Sequence, residues 1–216
     1  MIPFLLLVTA LQTPDSGVLL VRRDTTLVAR ESFHLGPDPS TGGWILDATV
    51  RYDRGRPVVQ FAPIVQIGAD TGAVKVQFDA GEPGAPTHIL GQVGRRRFTL
   101  RYVSRTDERA REVPDPGRSA IVDDSVFSLF AVVAWRATAG WPRVSAIFPR
   151  AGVQESWSLR DLGPATTPVN GVPAQLRRTT AEGPRLGLVT IWTDAAGRIA
   201  KVEIPRLHLT AERLAR

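Results

Sequence analysis

The chain has 216 residues, of which 43% are hydrophobic and 22% are charged, the composition of a globular protein with a sizeable core. It contains no cysteine, which excludes disulfide bonds, thiol catalysis and thiolate metal sites. Lysine and arginine outnumber aspartate and glutamate by 27 to 21, but the arginines are spread along the chain and their one tight run is Arg95–Arg97. A solvated basic surface accounts for this charge, so we predict no nucleic-acid partner.

The first ten residues, Met1–Ala10 (MIPFLLLVTA), are apolar and are followed by the polar segment LQTPDSG. This run is too short for a transmembrane helix, which needs about 20 apolar residues, and it is typical of the hydrophobic region of a secretory signal peptide. We therefore expect a signal peptide at residues 1–13, a single β-rich domain at residues 14–216, and an exported, periplasmic or otherwise extracytoplasmic protein that is not transmembrane. The alternative is a buried first strand.

From Gly17 onward, hydrophobic and polar residues alternate as in half-buried β-strands, with turn residues about every ten positions. The segment Gly43–Asp53 (GWILDATVRYD) is the clearest two-faced strand. Residues 192–201 (WTDAAGRIAK) predict a tight hairpin whose turn contains Asp194 and Gly197. The pattern predicts a mainly β fold of about 10–12 antiparallel strands, which is more than an open sheet usually holds without curling.

The segment Ser125–Trp135 (SVFSLFAVVAW) is the longest uncharged apolar run after the N-terminus. Its apolar residues recur at spacings of three and four, Asp123 or Asp124 is suited to cap a first turn, and we expect Arg136, Gly140 and Pro142 to end the helix. The pattern predicts a helix over this segment, with a strand as the alternative because Val and Phe favour sheets. We expect a lone apolar helix to lie in the concavity of a curled sheet.

No motif in the sequence assembles a catalytic or metal site. Residues 69–73 (ADTGA) contain the Asp-Thr-Gly of aspartic proteases, but Gly68 and Ala69 stand where those enzymes have an apolar strand, which favours a surface turn. The histidines lie on separate predicted strands without the spacing of metal ligands: His34, His88 and His208. We therefore expect no catalytic residue, no metal ion and no cofactor. A hydrolase or dimeric aspartic protease that uses Asp70 is the least favoured alternative.

Five aromatic residues of the central segment and the later strands are the candidate ligand-binding residues: Phe127, Phe130, Trp135, Trp157 and Trp192. Core packing is the simpler account of these side chains. The alternative is that several of them line an apolar cavity between helix and sheet, which is the usual form of a small-ligand site.

The order of the segments VDDSVFSLFAVVAW, GVPAQLRRT, VTIWTDAAGRIAKVEIP and LTAER, within Ile121–Arg213, resembles the C-terminal half of LolA-like proteins. These are exported bacterial proteins of the lipoprotein-localisation fold, to which related periplasmic domains of unknown function are similar. The resemblance implies a curled antiparallel sheet, an unclosed half-barrel, with a helix packed in its concavity. It also implies that the concavity receives acyl chains or other lipid.

These features predict an exported envelope protein that binds an apolar small molecule or lipid in the concavity of a curled sheet. The alternative is a non-enzymatic structural or protein-interaction module of the cell envelope, with a protein partner and a fully packed core. The two hypotheses differ in whether the central helix leaves a pocket or seals the core.

Overall fold

The computed structural model describes residues 13–53, 58–82 and 85–215, with the backbone alone at residues 82, 85 and 86. The predicted signal peptide therefore lies outside the described residues, apart from Thr13. In the described parts of the chain, no helix has the length and hydrophobicity that a bilayer crossing requires.

Fifteen strands, one α-helix and one turn of 3-10 helix form in the described residues. Their bounds are β1 (Asp15–Arg23), β2 (Thr26–Asp38), β3 (Gly43–Tyr52), β4 (Val59–Ile67), β5 (Ala73–Glu82), β6 (Ala85–Val93), β7 (Arg97–Val103), β8 (Glu108–Pro114), β9 (Ala120–Ile121), α1 (Phe130–Thr138), β10 (Arg143–Phe148), β11 (Val153–Val169), β12 (Val172–Gly183), β13 (Gly187–Thr193), β14 (Ile199–Ile204), the 3-10 turn (Pro205–Leu207) and β15 (Leu209–Arg213).

All fifteen strands belong to one unclosed sheet, in the order β8-β7-β6-β5-β4-β3-β2-β1-β15-β14-β13-β12-β11-β10-β9. The first described strand, β1, lies in the middle of this sheet. From there the chain meanders outward to β8, resumes at the opposite edge with β9, and meanders back until β15 pairs with β1. Every pair is antiparallel except β9 with β10. The predicted mainly β, antiparallel sheet is confirmed.

The predicted number of about 10–12 strands is too low, since the sheet has 15. One reason is the length of β9, which has two residues and is too short to produce a period-two pattern. The predicted hairpin of residues 192–201 is present, because Asp194 accepts the amide of Gly197 at 2.9 Å and its own amide binds the carbonyl of Arg198 at 2.9 Å.

The sheet bends around α1. The helix contacts β10, β11, β12 and β13 in one half of the sheet. Its Trp135 also packs on Trp44 of β3, in the other half, with ring centroids 5.4 Å apart. A flat sheet cannot bring two such distant strands to one helix, so the sheet must be curved.

The two edges of the sheet come near each other. The chain passes from β8 to β9, the two edge strands, through residues 115–119 alone. At about 3.5 Å per extended residue, this segment limits the separation of the edges to about 20 Å. The hydroxyl of Tyr102, in β7, donates to the carbonyl of Pro149, directly after β10, at 2.8 Å. The gap between the edges is therefore narrow and bridged.

The central helix is present, but its predicted start and cap are wrong. α1 begins at Phe130 rather than at Ser125, ends at Thr138, and has no side-chain hydrogen bond at its N-cap. Arg150 binds the carboxylates of both Asp123 and Asp124. The two aspartates are thereby held several residues before the helix, away from the amides of its first turn.

Candidate functional site

The helix fills the interior that the curved sheet encloses. All residues of α1 from Phe130 to Ala137 are buried. The side chains of Phe127, Phe130 and Val133 are 0% exposed. The apolar residues on all sides of the helix are therefore covered by other parts of the chain. Both halves of the sheet and the segment before the helix belong to the same core as the helix.

The structure brings four of the five candidate residues into this large core: Phe127, Phe130, Trp135 and Trp157. The ring of Phe130 stacks on Trp157 of β11 with centroids 6.2 Å apart and an interplanar angle of 22°. Phe148 packs on the same indole at 5.8 Å. Trp135 contacts Trp44 rather than this group. Phe130 and Phe148 thus both contact Trp157 inside the core, and Trp135 packs in another part of it.

Trp192 lies elsewhere, on the outer face of the sheet. Its neighbour Ile191 belongs to the large core, and successive residues of a strand point to opposite faces. Trp192 instead forms a small separate cluster with Leu176 and Ala200. Its indole N–H donates to Glu203 at 3.1 Å.

The β11–β12 hairpin covers this outer cluster. Its tip turns at Asn170 and Gly171, which both have positive φ (49° and 81°), as a tight two-residue hairpin requires. The Asn170 amide donates to the carbonyl of Arg213 at 2.6 Å. Lys201 donates to the carbonyl of Pro168 at 3.3 Å. The hairpin therefore folds back over β14 and the end of β15.

One cavity beside α1, formed entirely by described residues, is very small. It measures about 10 Å³ and is lined by residues of the sheet, of the Thr71 turn and of the helical segment: Leu46, Val65, Ile67, Thr71, Ala73, Ala120, Ile121, Leu129 and Val132. Such a volume holds about one water molecule, whereas small-ligand pockets measure about 300–1,000 Å³. A larger, solvent-open groove of about 490 Å³ lies at the rim, along Leu27–Arg30, Arg51 and Asp53, and contains none of the five candidate residues.

Glu31 holds the segment that leads into the helix. Its carboxylate, 0% exposed, accepts the backbone N–H of Phe127 at 2.7 Å and that of Ser128 at 2.8 Å. Burial raises the pKa of the Glu31 carboxyl to about 7, although these hydrogen bonds oppose the shift. The carboxylate that receives the amides of Phe127 and Ser128, directly before α1, therefore comes from a distant strand, β2, whereas the adjacent Asp123 accepts the earlier amide of Ser125 at 2.9 Å.

A second group of charges lies beside Glu31. Arg150 contacts Asp123 through Nε at 2.9 Å and Nη2 at 2.8 Å, binds Asp124, and stands over the Phe61 ring at 4.3 Å. Burial raises the pKa of the Asp123 carboxyl, and the charge of Arg150 opposes that shift. The Tyr52 hydroxyl donates to the carbonyl of Ser125 at 3.2 Å. Together these contacts fasten residues 123–128 to the wall of the sheet.

The residues considered for catalysis and metal binding lie apart. Asp70 is in an exposed turn, where it accepts the amide of Gly72 at 3.0 Å and pairs with Arg118 at 3.2 Å. His88 pairs with Asp79 of the neighbouring strand β5, and His208, which directly precedes β15, pairs with Asp24 in the β1–β2 turn. Within the described residues, no group of three or more His, Cys, Asp or Glu side chains is placed to hold a metal ion.

The sequence interpretation did not identify Glu31 and Arg136 as buried ionisable residues. Glu31 occupies the apolar face of β2, in line with the buried Ala29 and Phe33. Arg136 follows Val132 and Val133 by four and three positions, on the buried side of α1. A charged residue on the apolar face of a periodic segment was the available signal in both cases.

No protein-family model, no curated protein and no solved structure matches this chain.

Proposed function

We propose that this chain is a non-enzymatic interaction module of the cell envelope, whose interior is filled by its own helix and whose function lies on its outer surface. The observation that carries the proposal is the cavity of about 10 Å³ beside α1, together with the complete burial of Phe127 and Phe130. A ligand of lipid size has no place there while the helix is seated.

The placement in the envelope is part of the proposal and depends on the apolar run Met1–Ala10. Such a run followed by polar residues is typical of a signal peptide. Translocation is tested by fusing residues 1–16 to a reporter enzyme that is active only after export. A cytoplasmic, uncleaved fusion would contradict the placement.

Two experiments test the interaction module. A photo-crosslinking amino acid is placed at Ala110 in the edge strand β8 or at Val172 in the hairpin tip, both exposed. We expect a single crosslinked envelope protein from one of these positions and none from the buried control position Val133. Native mass spectrometry of the purified protein should show the mass of the mature chain without lipid. A stoichiometric lipid, with no crosslinked protein, would contradict the proposal.

A second candidate function is the carriage of an apolar or lipid-like ligand after displacement of the helix, as the LolA-like resemblance implies. One observation favours it: α1 has nine residues, of which the first eight, Phe130 to Ala137, are buried in the interior. With side chains, such a helix is about 14 Å long and about 10–12 Å across, a volume on the order of 1,000 Å³. Its removal would leave a half-barrel with a concavity of the size that ligand pockets have.

The two candidates predict different behaviour of delipidated protein. Carriage requires saturable uptake of a fluorescent fatty acid or phospholipid, together with faster amide hydrogen exchange in residues 127–138 when the ligand is bound. The interaction module requires neither. Phe130→Ala gives a matched comparison, since it enlarges the interior without moving the helix; uptake by this variant alone would show that the wild-type core is closed to ligand.

A further inference from the structure

The second buried ion of the interior, Arg136, is only partly bound. It lies in the last turn of α1 and is 1% exposed. Its Nε donates to the Thr71 hydroxyl at 3.1 Å, and its Nη2 donates to the Thr71 carbonyl. Its Nη1 is buried and has no hydrogen-bond partner among the described residues.

An unpartnered N–H on a buried guanidinium group is costly. Leaving such a donor unsatisfied costs about 1–3 kcal/mol, and more when the group is charged. Burial lowers the pKa of Arg136 to about 10, so the side chain still carries its charge at neutral pH. The carboxylates that attract this charge are those of Asp70 and Asp115. Asp70 is engaged with Gly72 and Arg118. The charge of Arg136 is therefore attracted by these carboxylates but has no carboxylate bound to it.

The backbone that receives Arg136 has an unusual conformation. Thr71 has φ of 66°, in the left-handed region, which β-branched residues rarely adopt. Its hydroxyl and its carbonyl oxygen both face Arg136 in this conformation. Strained residues of this kind occur preferentially at binding sites, where the surrounding structure maintains them.

A second arginine and an indole complete the cluster. The guanidinium carbons of Arg118 and Arg136 each lie 5.3 Å from the ring centroid of Trp141. The two cations are therefore at most twice that distance apart. The Arg118 side chain is 54% exposed, and Trp141 is half-buried. One buried donor and one accessible cation thus lie around the same aromatic ring.

We propose that Arg136, Arg118 and Trp141 form a binding site for a small oxyanion, a carboxylate or phosphate group. The anion accepts a hydrogen bond from Arg136 Nη1 and pairs with Arg118, because two guanidinium groups match the oxygen pairs of such anions. The Trp141 ring, which lies against the Arg136 guanidinium group, turns aside on binding. This site is independent of the interaction module proposed above.

The test measures thermal unfolding in sodium phosphate and in sodium acetate, each at constant ionic strength against chloride. Binding to the folded protein alone raises Tm along a saturating curve. We expect saturation with one of these probes at millimolar concentration and a change in tryptophan fluorescence that Trp141→Phe removes. If only phosphate gives a saturating curve, the ligand group is a phosphoryl group. If only acetate does, the ligand group is a carboxylate. Either result, or saturation with both, supports the site.

The variants separate this site from general anion effects. Arg118→Gln should weaken the apparent affinity at least tenfold, whereas Arg160→Gln, at an exposed position of β11, should leave it unchanged. Arg136→Lys is expected to abolish binding. If this variant does not fold, Arg118→Gln and Trp141→Phe still test the proposal. Three results would overturn the proposal: no saturable effect, equal losses in Arg118→Gln and Arg160→Gln, or a crystal structure in phosphate that shows only a water on Arg136 Nη1.

Discussion

The carboxylate of Glu31 accepts a hydrogen bond of 2.7 Å from the backbone amide of Phe127, a residue 96 positions later in the chain. The bond joins the inner face of β2 to the segment that places α1 inside the sheet. A buried carboxylate thus anchors the segment before the helix, which makes the seating of the helix sensitive to charge.

Glu31→Gln is expected to reduce the pH dependence of stability. Burial raises the pKa of the Glu31 carboxyl from 4.5 to about 7. A carboxyl with a raised pKa in the folded state stabilises the fold fully below its unfolded pKa, and this contribution is lost as the pH rises through the folded pKa. As the pH rises, the free energy of unfolding of the wild type should therefore fall relative to that of the variant, by at most about 1.4 kcal/mol per pH unit.

Urea unfolding at several pH values between about 4.5 and about 8 measures this difference for Glu31→Gln. The raised pKa of Asp123 acts in the same direction but is present in both proteins. Glu182→Gln, at an exposed position of β12, is the matched control and should follow the wild type. Parallel curves for wild type and Glu31→Gln would contradict the prediction.

Arg150→Met should destabilise the protein by about 3 kcal/mol, because removing one partner of a buried ion pair leaves the other charge uncompensated. The carboxylate left behind is that of Asp123, whose side chain is 3% exposed. The loss should be greater at about pH 8 than at about pH 5, since protonation of Asp123 relieves the buried charge. Arg160→Met, at an exposed position, should change stability by less than about 0.5 kcal/mol. An equal loss at both pH values would refute the role of Asp123.

Phe130→Ala should reduce the free energy of unfolding by about 3–5 kcal/mol, the cost of a large-to-small change in a packed core. Phe130 is 0% exposed and stacks on Trp157. Chemical denaturation and Trp fluorescence measure the loss and the change around the indole. Leu188→Ala, at a side chain that is 46% exposed, is the control and should cost little. A loss near zero for Phe130→Ala would indicate a loosely filled interior.

Combining Phe130→Ala with Trp192→Ala should give additive losses of stability. The two residues belong to separate clusters on opposite faces of the sheet. Changes that share no contact partner add to within about 0.5 kcal/mol. A double-mutant cycle in urea measures the coupling energy between the two positions. A coupling above about 1 kcal/mol would show that Trp192 acts on the interior after all.

Local sequence patterns predicted most of the fold. Alternation within Gly43–Tyr52 placed the buried and exposed sides of β3, and the Asp194–Gly197 turn marked the β13–β14 hairpin. These two features depend on a few neighbouring residues, which is why a single sequence was sufficient to predict them. The Asn170-Gly171 dipeptide is an equally strong hairpin signal that the sequence interpretation did not use, and it marks the tip that reaches Arg213.

Features that depend on distant pairs were not predictable in the same way. The start of α1 is set by Glu31 and Arg150, which approach from other strands. The position of Trp192 depends on a hairpin that folds back over the outer face. Hydrophobicity alone does not distinguish an inner from an outer apolar cluster, so all five aromatic candidates were equivalent until the sheet was assembled.

The pairing of β1 with β15 has a consequence for synthesis on the ribosome. Leu19 lies opposite Arg213, so the first strand gains its second neighbour only after nearly the whole domain has emerged. Until then β1 has one open edge, and open edges invite pairing with other chains. Contacts of such large sequence separation also slow folding. We expect the nascent chain to depend on a holding chaperone. We also expect faster folding of a circular permutant in which β15 is joined to β1 and the chain is opened within residues 115–119.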